Sequence, residues 1–564
     1  MLPFLHLDRN LRSLRRYREI LAVLVTYGFD HLVEQLNIDY YLERARRLIR
    51  RQRQQLSALE RLPAEQRLRM ALEELGPTFI KFGQLLSTRP DLLPASYIRE
   101  LNRLQDHVAP LPWSAIEQRL TTELGAPPQS LFGTVDPTPL AAASIAQVHR
   151  ARLHDGRQVA LKVQRPGIEA VIATDLDILE GLAGLLENNQ DRTSLVSPLQ
   201  LVREFRRTLY RELDFTKEAH SLCRFRSNFA GDPHLYVPEV FWDYSSEALL
   251  TLELIDGCKI DDLDGLRRAG HDLPELARRG AQCFLTQVVH HGLFHGDPHP
   301  GNLRVLADGR ICFLDFGMVG HLDDELRQQL ASLLLGLFRK DTDMLAEVLL
   351  TRRPRTSEID LPALRRDLLE FIDDYHQRPL KQIDSFKLMT EFIALMGRHH
   401  IRFPADLMLL TKALVTIEGI GRRLDPDFNL IEQIEPNVRA LLKQRLSSEH
   451  LGRQTLNCLR AYLDLARSLP HDIREVLLRL NSNSFKIDLE HRGLERLIRD
   501  LDKSSNRLSF SFLIGSLIIG SSLIVQTGAG PQLFGLPALG LLGYSIAALL
   551  GLWLAIGVLS SGRL

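Results

Sequence analysis

The chain has 564 residues, 45% hydrophobic and 25% charged, too long for one average domain and too apolar for a disordered polymer. Its 70 Lys and Arg balance 70 Asp and Glu, so no global positive field favours nucleic acid as a partner. The cysteines Cys223, Cys258, Cys283, Cys312 and Cys458 are scattered without CxxC spacing, which excludes a zinc site or a disulfide framework and leaves reduced thiols in a cytoplasmic domain as the expectation.

In chain order, residues 1–70 read as helical and basic. The first residues carry Asp8 and early arginines with no cationic stretch before an apolar core, a poor secretory signal. Between Tyr41 and Gln55 the arginines 44, 46, 47, 50, 51 and 53 face one acid, Glu43, and alternate with Leu42, Ala45, Leu48 and Ile49. That pattern suits a basic helix on an anionic membrane, and equally a solvated helix face. Residues 71–129 read as a helical extension in which Lys81, taken alone, is one cation among apolar residues, as able to snorkel as to act.

A mixed α/β segment is expected over 130–257. Val159-Ala-Leu-Lys162 reads as a short apolar strand ending in a lysine, a weak signal by itself. A helix from about Pro198 to Asn228 follows, with Glu204, Glu212, Asp214 and Glu218. Glu218 is the expected partner of Lys162, and solvent the expected partner of Glu204. On an ideal helix Glu212 and Asp214 lie roughly 200° apart, so if both meet one partner the helix must be irregular there. Leu249 to Gly257 reads as a buried strand entering a turn, where a kinase holds adenine with backbone groups, here those of Glu253 and Ile255.

The context that makes this a kinase-like chain comes next, in a helical segment expected over 258–427. His295-Gly-Asp297-Pro-His-Pro-Gly-Asn302 sets an Asp and an Asn five residues apart, and Leu314-Asp315-Phe316-Gly317 follows. In a phosphoryl-transfer site the first carboxylate lies near the reacting oxygen, and the Asn and second Asp hold Mg²⁺ on the phosphates of ATP. Asp297, Asn302 and Asp315 take those roles. His295 and His299 are four apart, but Pro298 and Pro300 prevent a helix from aligning them on a metal, and His295 reads as a packing residue.

The chain departs from ordinary kinases in three places. The phosphate-covering loop has alanine at each glycine position, in Ala141-Ala-Ala143-Ser144-Ile-Ala146-Gln-Val148, so every such residue carries a Cβ and resists φ > 0. Residues Ala141, Ala143, Ser144, Ala146 and Val148 are nonetheless the expected nucleotide contacts there. His299 stands where a protein kinase commonly has a lysine. After Gly317 the chain passes almost directly to Asp323 and an amphipathic helix, leaving little to dock a peptide substrate.

A helical linker is expected over 428–507, then two membrane spans, 508–527 and 538–560. Leu508 to Gly562 contains no charged residue over 55 positions, and each segment meets the roughly 20 residues needed to cross ~30 Å of hydrocarbon. Lys503 and Arg507 before the hairpin and Arg563 after it place both flanks in the cytoplasm. Gly543, Ala547, Gly551 and Ala555 form a small-residue face for either the first span or a second copy of the chain, a homodimer.

The run Lys81-Phe-Gly-Gln84, the Ala-rich loop, Glu212-Leu-Asp214, and the HGDPHPGN and DFG motifs together resemble the UbiB family, the AarF-domain atypical kinase-like proteins. The resemblance covers about Ala71 to Asp425. It implies an α+β, two-lobed protein-kinase-like fold whose extension lays the helix of Lys81 and Gln84 across the active site, with Lys81 approaching the regulatory acids Glu212 and Asp214. It further implies ATPase activity with ATP and Mg²⁺, contact with membrane lipids and quinone precursors or quinone-biosynthesis proteins, and support of ubiquinone biosynthesis at a bacterial inner membrane. Lys162, Asp297 and Lys81 are the catalytic candidates. Phosphoryl transfer to a protein or lipid-like acceptor, and a nucleotide-gated scaffold, are the alternatives.

Overall fold

The computed structural model describes residues 7–29, 62–89, 92–104, 108–189, 197–350, 360–376, 385–399, 401, 404–430, 432–434 and 494–560 without 528–530 and 534–535. The arginine-rich stretch from Tyr41 to Gln55, most of the expected linker, and Cys458 lie outside these residues. The chain divides into two units, Met1–Leu451 and Gly452–Leu564.

The first unit begins with helices α1 (Leu7–Thr26), α2 (Ala64–Leu75), α3 (Pro77–Ser87), α4 (Ala95–Leu101) and α5 (Trp113–Leu124). Gly76, at φ 96°, ends α2 in a conformation open to glycine, and Pro77 restarts the chain as the first residue of α3. Ala71, Leu72, Leu75, Phe79 and Ile80 pack with Ile20 and Val23 of α1 and with Ile178 and Leu182 of α6 (Ile168–Asn189). Arg16 of α1 donates to the fully buried Asp175 of α6 at 2.8 Å, fixing the extension to the body of the protein.

Gly83 lets α3 approach its neighbours: a Cβ there would run into Leu104 and lie 2.8 Å from Leu72. Those atoms are ends of flexible side chains. Gly83→Ala is therefore expected to cost about 1–2 kcal/mol of stability, read as a lowered urea midpoint at unchanged slope.

An antiparallel sheet in the order β1-β2-β3-β5 forms the small lobe. Its strands are β1 (Phe132–Ala142), β2 (Ala146–Leu153), β3 (Gln158–Gln164) and, after the short β4 (Leu235–Tyr236), β5 (Leu249–Glu253). Val159, Leu161 and Val163 are fully buried in one core with Ile116, Leu120 and Leu249. The period of two therefore turns Lys162 to the other face. Between α6 and β4 run α7 (Pro198–Leu213) and α8 (Phe215–Asn228).

A second sheet, ordered β4-β9-β8-β6, contains β6 (Cys258–Lys259), β8 (Leu303–Val305) and β9 (Ile311–Phe313). β4 pairs in parallel with β9, so Leu235 and Tyr236, expected within the small lobe, lie in the large-lobe sheet. Leu235 and Val237 share the large core with Ile311 and Phe313, and that burial decides the strand's place.

The large lobe adds helix α9 (Leu273–Thr286), strands β7 (Leu293–His295) and β10 (Val319–His321), paired antiparallel, and helices α10 (Asp324–Arg339), α11 (Leu361–His376), α12 (Ser385–Arg398) and α13 (Ala405–Leu424). Leu407, Leu410, Ala413, Ile417, Ile420 and Leu424 of α13 recur at helical spacing and enter the same core as Leu276, Ala277 and Phe284 of α9.

The second unit holds α14 (Leu494–Thr527) and α15 (Ala538–Ser560), both long and apolar enough to cross a membrane. α14 starts well before the charge-free stretch, because Lys503 and Arg507 sustain a helix as well as leucine does. A Cβ on Gly543 would meet Ser521, and one on Gly540 would meet Val525. Ala547 is 3% exposed. The first span thus fills the small-residue face at Gly543, whereas the space around Gly551 is open to 4 Å.

Candidate active site

Lys162 is the hub of the cleft. The register of β3, with Val148 and Leu250 as its cross-strand neighbours, carries the ammonium to Glu218 oxygens at 2.8 and 2.9 Å and to Asp315 Oδ1 at 3.1 Å. The ammonium also stands 5.5 Å from the centre of the Phe215 ring. Burial works against its charge, but Asp315 and then Glu218 outweigh that effect and hold the lysine protonated. Burial pushes Glu218 up to about 7, against the pull of Lys162.

Glu218 is placed by a helix break. The expected single helix over 198–228 is two helices, because Asp214 adopts φ −93°, ψ 94° and caps α8, its carboxylate accepting from Thr216 N at 3.1 Å. The break falls at Asp214, between the end of α7 and the start of α8. Glu212, in the last turn of α7, forms an ion pair with Lys81 of α3, while Asp214 caps α8 and pairs with Lys217 at 3.3 Å. Phe82 packs on Phe205 at 5.0 Å, setting α3 against α7. Glu204, expected to be solvated, pairs with Arg89 at 3.2 Å. Gln84 Nε2 donates to Leu104 O at 3.4 Å, so it braces the extension.

Asp315 has φ 51°, a left-handed backbone that Asp tolerates better than most residues, and its Oδ1 accepts from Gly317 N at 3.2 Å. Burial raises its carboxyl, but Lys162 and then Lys81 outweigh burial and hold it well below the usual carboxylate range.

The 295–302 turn is organised by His295. Its ring is fully buried, 5.2 Å from that of Phe316. Nε2 faces Leu314 O at 2.9 Å and Nδ1 accepts from Asp297 N at 3.2 Å, which fixes the neutral tautomer. Asn302 Nδ2 donates to Asp297 O at 3.2 Å and closes the turn. The Asp297 carboxylate meets Lys412 Nζ of α13 at 3.1 Å. Burial raises this carboxyl, and Lys412 followed by His299 brings it below its ordinary value.

The Ala-rich loop folds back without any positive φ among its alanines. Ala143 N donates to Ala146 O at 2.8 Å, and Arg165 Nε donates to Ala143 O at 2.9 Å. Ala141, Ala143 and Val148 keep accessible surface, while Ala146 and Ser144 are buried. Glu253 N donates to Glu239 O at 2.9 Å and Leu254 N to Gln158 O at 3.1 Å, so backbone pairing holds this segment up to Leu254, next to Ile255. A cavity of about 180 Å³ opens beneath Gly317, lined by Arg89, Glu212, Lys217, Met318 and Leu409 among others.

The donors fit Mg²⁺. Asp315 and Asn302 offer one carboxylate and one amide oxygen, and the described residues contain no group of three His, Cys, Asp or Glu that would make an all-protein cage. An ion that keeps waters and takes the remaining oxygens from phosphates matches that set.

Three residues escaped sequence reasoning: Lys412, Arg165 and Gln147. Gln147 is buried and accepts from Leu111 N at 2.8 Å, tying the extension to the Ala-rich loop. No spacing marks any of them. The described cysteines, Cys223, Cys258, Cys283 and Cys312, are free thiols, and burial pushes that of Cys283 up to about 12.

Residues 103–349 match the ABC1 atypical kinase-like domain, 368–429 the UbiB helical domain, and 492–560 the ABC1/UbiB kinase-like C-terminal domain. A relative in Marinobacter nauticus, called probable protein kinase UbiB, is 36% identical over 84% of this chain and 87% of its own length. Another of that name in Cellvibrio japonicus is 38% identical over 70% of this chain and 72% of its own. An uncharacterized protein in the hydrogenase 1 5′ region of Clostridium pasteurianum is 33% identical over 98% of this chain and 100% of its own.

Proposed function

As this chain belongs to the UbiB family of atypical kinase-like proteins, we propose that it binds Mg-ATP between its lobes and hydrolyses it at a membrane in support of ubiquinone biosynthesis. The observation that carries the reading is Lys162 held between Glu218 and Asp315, beside a turn that keeps Asp297 and Asn302 together. Lys162 meets the phosphates, and the Glu253 carbonyl and Ile255 meet the base. Asn302 and Asp315 hold Mg²⁺, which when bound neutralises charge on the phosphates.

Asp297, kept ionised beside Lys412, orients a water molecule. The water oxygen bonds to the γ-phosphorus, the bond to the β,γ-bridging oxygen breaks with its electron pair leaving on ADP, and the water proton departs with phosphate. Water is favoured over a protein hydroxyl because Lys81 of α3, paired with Glu212, stands near enough to Asp315 to act on its carboxyl, which sets the extension against the cleft. The reading places α14 and α15 in the bacterial inner membrane, with the kinase-like unit in the cytoplasm facing anionic lipid and quinone precursors.

The test is ADP release by the full chain in nanodiscs of neutral or anionic lipid, beside Asp297→Asn. Mg²⁺-dependent turnover, raised by anionic lipid and reduced roughly 10²-fold or more in the variant, is the expected result. Nucleotide binding without turnover sensitive to Asp297 would reject the enzyme and favour a nucleotide-gated scaffold.

A further inference from the structure

The turn that carries Asp297 lacks a cation of its own at the position where protein kinases commonly have lysine. His299 stands there, and its Nδ1 is engaged in accepting from Gly301 N at 3.0 Å. A cation nonetheless reaches Asp297, from far along the chain. Lys412 lies on α13, within residues 368–429 and beyond the kinase-like domain that ends at 349.

The placement of Lys412 follows from how α13 crosses the site. Successive turns present Asp406, whose Oδ1 accepts from His321 N at 3.3 Å, then Leu409, then Lys412. Leu409 closes on Gly296 so tightly that a Cβ there would come 2.8 Å from it. The adjoining stripe, Leu407, Leu410, Ala413 and Ile417, is buried in the large-lobe core. Lys412 is therefore carried on a helix anchored on two adjoining faces, with its ammonium 3.1 Å from Asp297 Oδ1 and its side chain 21% exposed. An ammonium has three donors; one serves Asp297, which leaves two for a phosphate oxygen.

We propose that Lys412 is a catalytic residue, the cation supplied by the helical segment to the terminal phosphate of the nucleotide next to Asp297. The proposal rests on the nucleotide reading above. It makes the active centre a joint product of two segments, so that α13 must be docked on the 295–302 turn before the site is complete. The attraction of this fixed charge strengthens as negative charge spreads over the oxygens of the transferring phosphoryl group, which is where a fixed donor lowers a barrier.

The test uses the full chain in nanodiscs with Lys412→Met, which keeps the stem, and Lys412→Arg, which keeps the charge. Affinities for Mg-AMP-PNP and Mg-ADP are measured by calorimetry, and turnover in parallel. The unaltered protein is expected to prefer the triphosphate about 10-fold, a preference that falls to near unity in Lys412→Met while ADP affinity holds, with turnover lowered about 10²-fold. Lys412→Arg should restore most of the preference.

A purely structural ion pair would lower the melting temperature and leave the triphosphate preference intact, and that result overturns the proposal. Should Lys412→Met not fold, Lys412→Gln is read in the same way. A native protein that binds neither nucleotide rejects the nucleotide reading itself, whereas native discrimination that survives Lys412→Met rejects only the role of Lys412.

Discussion

Asp315→Asn is expected to abolish Mg²⁺-dependent ATP turnover, by about 10³-fold or roughly 4 kcal/mol of barrier. The substitution keeps size and shape but removes the one carboxylate of the metal set. Its neighbours sharpen the effect: Lys162 at 3.1 Å and the nearby Lys81 hold Asp315 ionised, so the native site carries this negative charge throughout the physiological pH range. The amide also leaves Lys162 with Glu218 as its remaining anion. Nucleotide binding measured with and without Mg²⁺ should lose its metal dependence while metal-free binding persists. A variant whose Mg²⁺ titration matches that of the native protein would remove Asp315 from the metal site.

The second large effect is on stability. Glu218 is 5% exposed and gives both oxygens to Lys162. Removing one member of a buried ion pair leaves the other uncompensated, typically at a cost of 3–5 kcal/mol. Asp315 stays beside Lys162 and limits the loss, so Glu218→Leu is expected to cost about 3 kcal/mol, near the lower end. The double variant Glu218→Leu with Lys162→Met should regain much of it, because two apolar side chains of similar volume replace the pair. Urea unfolding of the single and double variants decides the point. Equal losses in Glu218→Leu and the double variant would mean that packing of Glu218, not its charge, holds α8.

The site was legible where its chemistry is local. Asp297 and Asn302 are five residues apart in one turn, and Asp315 follows within a short strand hairpin, so their spacing along the chain is already their spacing in space. The pair of Lys162 and Glu218 was legible at longer range because β3 and α8 each have a fixed period that turns one residue to the cleft. The same reasoning failed for the helix over 198–228, since the cap at Asp214 depends on a backbone bend that helix periodicity does not encode. It failed for Glu204 as well, whose partner Arg89 belongs to a segment more than a hundred residues away.

By itself the sequence determined the kinase-like motif order, the apolar C-terminal pair of helices, and the cysteines as free thiols among the described residues, because each follows from local composition or spacing. Tertiary structure alone decided the place of β4 in the large-lobe sheet, the burial of Ser144, and the arrival of Lys412 at Asp297. Those features come from apolar faces that fit against one another across long loops, and a side chain carried by such a face meets partners that no spacing in the chain announces.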